Sequence, residues 1–169
     1  MKQFKTLLVA VVLFFGATSF VNAQSKVAHI DTQKLISEMP EMIAAKKQLE
    51  QVSKTFQADM KSLMDSYQAK IKQYQAEAET VTATMNETRQ KEVAGMENNI
   101  REFQVNADKS LQQKQLDLIK PIQEKARLAI QKVARAKGVQ YVLDATVGGG
   151  VLLADGTDLY ADVKKELGF

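Results

Sequence analysis

Between Met39 and Gly138 the chain contains one glycine, Gly95, and only two prolines, Pro40 and Pro121. The stretch is rich in Gln, Lys, Glu and Ala. A hundred residues of this kind can form long helix or remain disordered, and little else. Periodicity separates the two. On the first half Leu49, Val52, Phe56, Met60, Leu63, Tyr67, Ile71, Tyr74, Ala78 and Val81 fall at steps of three and four. On the second half Met96, Ile100, Phe103, Ala107, Leu111, Leu118, Ile122, Ala129, Val133 and Ala136 repeat the pattern, with Lys114 and Lys125 at two stripe positions. Disorder does not keep such a stripe, so the sequence predicts two amphipathic helices.

The three-four-four steps approach an eleven-residue repeat, which keeps a helix straight or coils it slightly right-handed. One unbroken rod of roughly a hundred residues would be ~150 Å long with its apolar face bare. Doubling back into a hairpin buries one stripe against the other. Three threonines in Thr80-Val81-Thr82-Ala83-Thr84 disfavour helix and mark the fold-back. Thr84 and Glu87 have the spacing of a capping box for the second helix, so the tip is expected within Thr80 to Asn86. Pro40 and Pro121 then stand at nearly equal distances from Thr82, and both arms are expected to bend together there.

The chain ends must supply what the hairpin projects from. Lys26-Val27-Ala28-His29-Ile30 suits a short strand, and Asp31 can cap a short helix through Leu35. Gly138 is a helix stop. Val139 to Leu143 alternates as a strand, and Val151 to Ala154 is expected as another, joined through Gly148-Gly149-Gly150. Asp158 is expected to cap a terminal helix with Leu159, Val163 and Leu167 on its apolar face. Three short strands leave open edges and an uncovered face, which argues for sharing the sheet between copies without fixing how many.

The first residues have the form of an export leader. Lys2 and Lys5 precede the apolar run Leu7 to Phe15, and Val21-Asn22-Ala23 is a small-x-small cleavage site, so cleavage is expected after Ala23. The run is shorter than the ~20 apolar residues that a membrane span requires. Cysteine is absent, which excludes disulfides, thiolate metal sites and a lipid-modified cysteine. Of 23 Lys and Arg, Lys2 and Lys5 leave with the leader, so the mature balance is 21 basic against 20 acidic residues. That near-neutral balance argues against nucleic acid as a partner. The expected organisation is a leader over 1–23, a β-rich base from 24–39 and 138–169, and a helical hairpin over 40–137: an α+β fold with a long antiparallel arm.

Several blocks carry a family resemblance. Val27-Ala28-His29-Ile30-Asp31-Thr32-Gln33-Lys34-Leu35-Ile36 with Met39-Pro40-Glu41, then Ala129 to Ala134 through Gly138, Tyr141-Val142-Leu143-Asp144, and the closing Val151-Leu152, Asp158-Leu159 and Ala161-Asp162-Val163 resemble the Skp/OmpH family of periplasmic chaperones. The resemblance spans essentially the whole mature chain. It implies a homotrimer whose base is a small barrel shared by all three copies, with Val27, Ile30, Val139, Tyr141, Leu143, Val151 and Leu153 as candidate base residues. It implies three hairpins around an open cavity that carries unfolded outer-membrane β-barrel proteins, with no nucleotide, metal or other cofactor. Such clients are apolar on alternate residues and aggregate in water. A stripe containing Met and Tyr offers them weak, adaptable contacts. Met64, Val105 and Leu116 lie off the stripe and are the candidate client-facing residues. The family's arms are often strongly basic. Here residues 41–137 carry 17 basic and 13 acidic residues, so electrostatic capture is expected to be weaker. A weak membrane-surface or lipopolysaccharide contact is in keeping with the resemblance, but no basic residue here is matched to it.

Other features take plain readings. His29 is the only histidine, with no orienting partner or metal set around it. Gly148-Gly149-Gly150 lacks the Lys-Ser/Thr of a phosphate loop and reads as a turn. No acid/base constellation points to an enzyme. The rival class is a structural coiled-coil adaptor of the cell envelope, which would grip one folded partner.

Overall fold

The computed structural model describes residues 26–169; the leader and its cleavage after Ala23 lie outside the described residues. The elements are β1 (Val27–Ile30), α1 (Thr32–Glu38), α2 (Pro40–Ala76), α3 (Ala83–Ala136), β2 (Tyr141–Asp144), β3 (Thr157–Asp158) and α4 (Tyr160–Leu167). Helices α2 and α3 form the expected antiparallel arm. The remaining elements gather at its foot.

The base is built on β1. Strands β2 and β3 pair with its two edges, both parallel, in the order β2-β1-β3. Ala28 and Ile30 point to one face of β1 and are buried. Against that face pack Leu35 of α1, Met39, Met42 and Ala45 at the start of α2, Leu159 and Val163 at α4, and the foot of α3 from Ile122 to Ala134. Fully burying a side chain such as Leu35 or Val163 contributes about 1.5–3 kcal/mol. The short helices start and stop on local chemistry. The Asp31 carboxylate accepts the Lys34 N–H at 2.8 Å. Gly138, at φ 65°, ends α3: its N–H reaches the Arg135 carbonyl at 3.0 Å and that of Val139 the Ala134 carbonyl at 2.9 Å, which is a Schellman stop.

The expected strand Val151 to Ala154 is absent. Both edges of β1 are already taken, and the chain from 145 to 156 serves as the return connection that a parallel pairing requires. The third strand is Thr157–Asp158, a few residues later. Asp158 acts one residue before the cap, its carboxylate accepting the Tyr160 N–H at 2.8 Å while Leu159 holds the cap position. Leu159 and Val163 are buried and Leu167 packs against the same core, as expected. The return loop is pinned at its start. The Thr146 hydroxyl lies 2.6 Å from one oxygen of Asp144, and the other takes the Thr32 hydroxyl at 2.6 Å. Burial pushes the Asp144 carboxyl up, but these hydrogen bonds outweigh it and leave it below its ordinary range.

The arm departs from expectation at three points. The turn occupies residues 77–82, and the cap is Thr82, whose hydroxyl accepts the Met85 N–H at 3.2 Å. Thr84 lies inside the helix, so no Thr84–Glu87 box forms; Glu87 pairs with Lys91 instead. Pro40 stands at the first position of α2, where a missing N–H costs the helix nothing, so it starts the arm and does not bend it. Pro121 alone is interior to a long helix. Near the foot the stripe of α3 runs from Ile122 through Ala126 to Ala129, all buried, while Lys125 turns outward to pair with Glu41.

Candidate functional site

The arm carries the longest apolar stripes of this fold. Its helices meet along the two stripes, and Phe56 meets Phe103 edge-on at 6.2 Å between ring centroids. Two helices cannot enclose a seam. From Leu49 to Tyr74 on α2, and from Met96 to Leu118 on α3, every apolar stripe residue is only half-buried. The buried residues all belong to the base and the first turns above it.

Polar contacts between the two helices are confined to the arm's ends. At the tip Tyr74 donates its hydroxyl to Glu92, Lys70 reaches Glu92 at 3.1 Å, and Arg89 pairs with Glu77 while stacking over the Tyr74 ring at 4.5 Å. The Asn86 amide closes the turn on the Ala78 carbonyl at 2.9 Å. Hydrogen bonds from Tyr74 and Lys70 hold the Glu92 carboxyl below its ordinary range, and those from Gln73 and Arg89 do the same for Glu77. At the foot Lys125 pairs with Glu41 and lowers its pKa. Between these two clasps no hydrogen bond or ion pair joins the long helices among the described residues. The sequence reading did not find this division; the clue was Tyr74, Glu77, Arg89 and Glu92 at matching heights on either side of the turn.

Of the candidate client-facing residues, Val105 and Leu116 are 66% and 62% exposed and Met64 is 39% exposed. Val105 and Leu116 are eleven residues apart on α3 and so share a face, away from the seam. Met64 adjoins the α2 stripe and is not brought beside them.

The candidate base residues divide. Ile30 is buried in the chain's own core, and Val139 packs against that core. Val27, Tyr141 and Leu143 sit on the opposite face of the sheet, in register Val27 with Tyr141 and His29 with Leu143, and all three are exposed. Val151 is half-buried and Leu153 exposed on the return loop, where Leu152 is 100% exposed. Among the described residues nothing covers this apolar sheet face and loop.

Comparison with known proteins fits this geometry. The family described as "Outer membrane protein (OmpH-like)" matches residues 26–167. The chain belongs to the Skp/OmpH-like family of outer membrane chaperones. A similar curated protein is the chaperone protein Skp of Pectobacterium atrosepticum, 23% identical over 155 residues that cover 92% of this chain and 93% of that one. Among solved structures, an OmpH-like outer membrane chaperone from Caulobacter crescentus superposes with a TM-score of 0.76 at 16% identity, covering 86% of this chain and 85% of that one. The expected family and the α+β fold with a long helical arm are therefore right.

Proposed function

We propose that this chain is an ATP-independent holdase that works in the periplasm after losing its leader. Three copies join through the uncovered outer sheet face and return loop, around Val27, Tyr141, Leu143, Val151 and Leu153. Their arms then surround a cavity in which unfolded outer-membrane β-barrel proteins are kept from aggregating. The observation that carries this reading is the half-buried seam. A rod with an apolar stripe that its own fold cannot cover offers many weak contacts to an unfolded chain, and no single one selects a conformation. Met60 within it adds adaptability. The exposed Val105 and Leu116 add apolar surface on another face of α3. Release follows when the client's own membrane fold becomes the better sink.

The test mixes purified mature protein with a urea-diluted outer-membrane barrel polypeptide, without ATP, and records light scattering and complex mass. The expected result is suppressed scattering and a complex of three copies with one client. Unchanged scattering at several-fold excess would overturn the reading, as would stoichiometric capture of a folded barrel only.

A further inference from the structure

Midway along the arm the seam contains a groove of about 400 Å³ between the two helices. Phe56 and Met60 line one side, and Phe103, Ala107 and Leu111 the other. We propose that this groove is itself a client-binding site, opened by bowing of α3 about Gly95 and Pro121, and that it takes apolar side chains of an unfolded polypeptide. The proposal rests on the holdase reading and says where within the arm the client is held.

Three observations converge on it. First, the groove lies in the stretch between the polar clasps, where only apolar contact holds the helices together. Second, α3 carries two compliant points that bracket it. Gly95 is a helix-interior glycine that packing does not require, since a methyl group there would meet no atom within 4 Å. Pro121 lies inside the same helix and cannot donate to the carbonyl one turn before it. The segment between them is about 39 Å long, and Phe103, Ala107 and Leu111 lie within it. Third, the rim carries little charge. Gln57, Gln104 and Ser53 are uncharged, Lys61 is paired with Asp65 at 2.5 Å, and Asp108 is the one other charged side chain lining the groove. A volume of this size accepts a few side chains and no folded element. A second copy's arm carries its half-buried stripe on two packed helices, which a groove of this size does not admit. An unfolded strand presents side chains singly.

The experiment uses the full mature chain with photoreactive benzoylphenylalanine replacing Phe103, in the seam, or Val105, on the outer face, and a urea-diluted barrel polypeptide as probe. Crosslinking from position 103 to the client is the expected result. Gly95→Ala, combined with the probe at 103, should lower that yield about two- to five-fold, because a stiffer helix resists bowing. Its thermal midpoint should be unchanged or raised, which separates stiffening from misfolding. Crosslinks from 105 but none from 103, with scattering still suppressed, would overturn the groove and leave the holdase intact. So would a yield at 103 that Gly95→Ala leaves unchanged. No crosslink from either position together with unsuppressed scattering would overturn both.

Discussion

The foot of the arm and its middle are made from the same helices, yet they are packed in different ways. At the foot, α2 and α3 are covered by a sheet and two short helices, and Met42, Ala45, Ile122, Ala126 and Ala129 are buried. Roughly ten to twenty-five residues further out, Phe56, Met60, Phe103 and Leu111 continue the same stripes with side chains as large or larger, but remain half in water. Burial thus depends on the number of layers around a stripe, not on the stripe alone. The foot gains a fixed structure. The middle keeps apolar surface available, at the cost of being held together weakly.

Substitutions on either side should expose the contrast. Leu35→Ala removes a fully buried side chain from the base and should cost about 2–5 kcal/mol in urea unfolding; a loss under about 1 kcal/mol would mean that the base is not the stable part. Phe103→Ala in the seam should cost roughly half of what a buried phenylalanine does, about 1.5–2.5 kcal/mol. If both cost the same, the contrast disappears. Thr82→Ala deletes the cap of α3 and should cost about 1 kcal/mol, read as faster amide exchange at residues 83–86. Met64→Ser on the arm's flank should fall within about 0.5 kcal/mol of the parent in the same urea titration.

Acid should loosen the clasps. Glu41, Glu77 and Glu92 are held below their ordinary 4.5 in the folded chain. Their contribution is therefore fully present above about pH 4.5 and is lost as pH falls through the lowered folded values. Protection of the tip amides, corrected for intrinsic exchange at each pH, should fall below about pH 4.5 and stay flat from there to neutrality. Loosening of the tip near pH 6 would show that these carboxylates do not hold it.

Much of this was legible in the chain itself. The scarcity of glycine and proline, the two stripes and the threonine cluster were enough for an antiparallel arm. Asp31 and Gly138 marked where helices start and stop. What could not be read depended on competition between distant segments. Val151 to Ala154 has the residues of a strand, but β1 offers only two edges and β2 and β3 occupy them. Thr84 has the spacing of a capping box, yet Thr82 is the residue at which the chain leaves the turn. Lys125 interrupts the stripe on paper because the eye follows steps of three and four from Ile122; the helix passes through Ala126 and leaves Lys125 free for Glu41. The tip clasp escaped notice because its members are ordinary surface charges until the turn brings them level.

Residue-resolved hydrogen exchange of the full mature chain at neutral pH tests the central contrast most directly. Amides in β1, α1 and the foot of α3 should exchange only through global unfolding, while those of residues 50–66 and 97–118 should open locally and exchange at least about ten-fold faster. Uniform protection from foot to tip would contradict the account, because the arm's middle would then be as firmly held as the base.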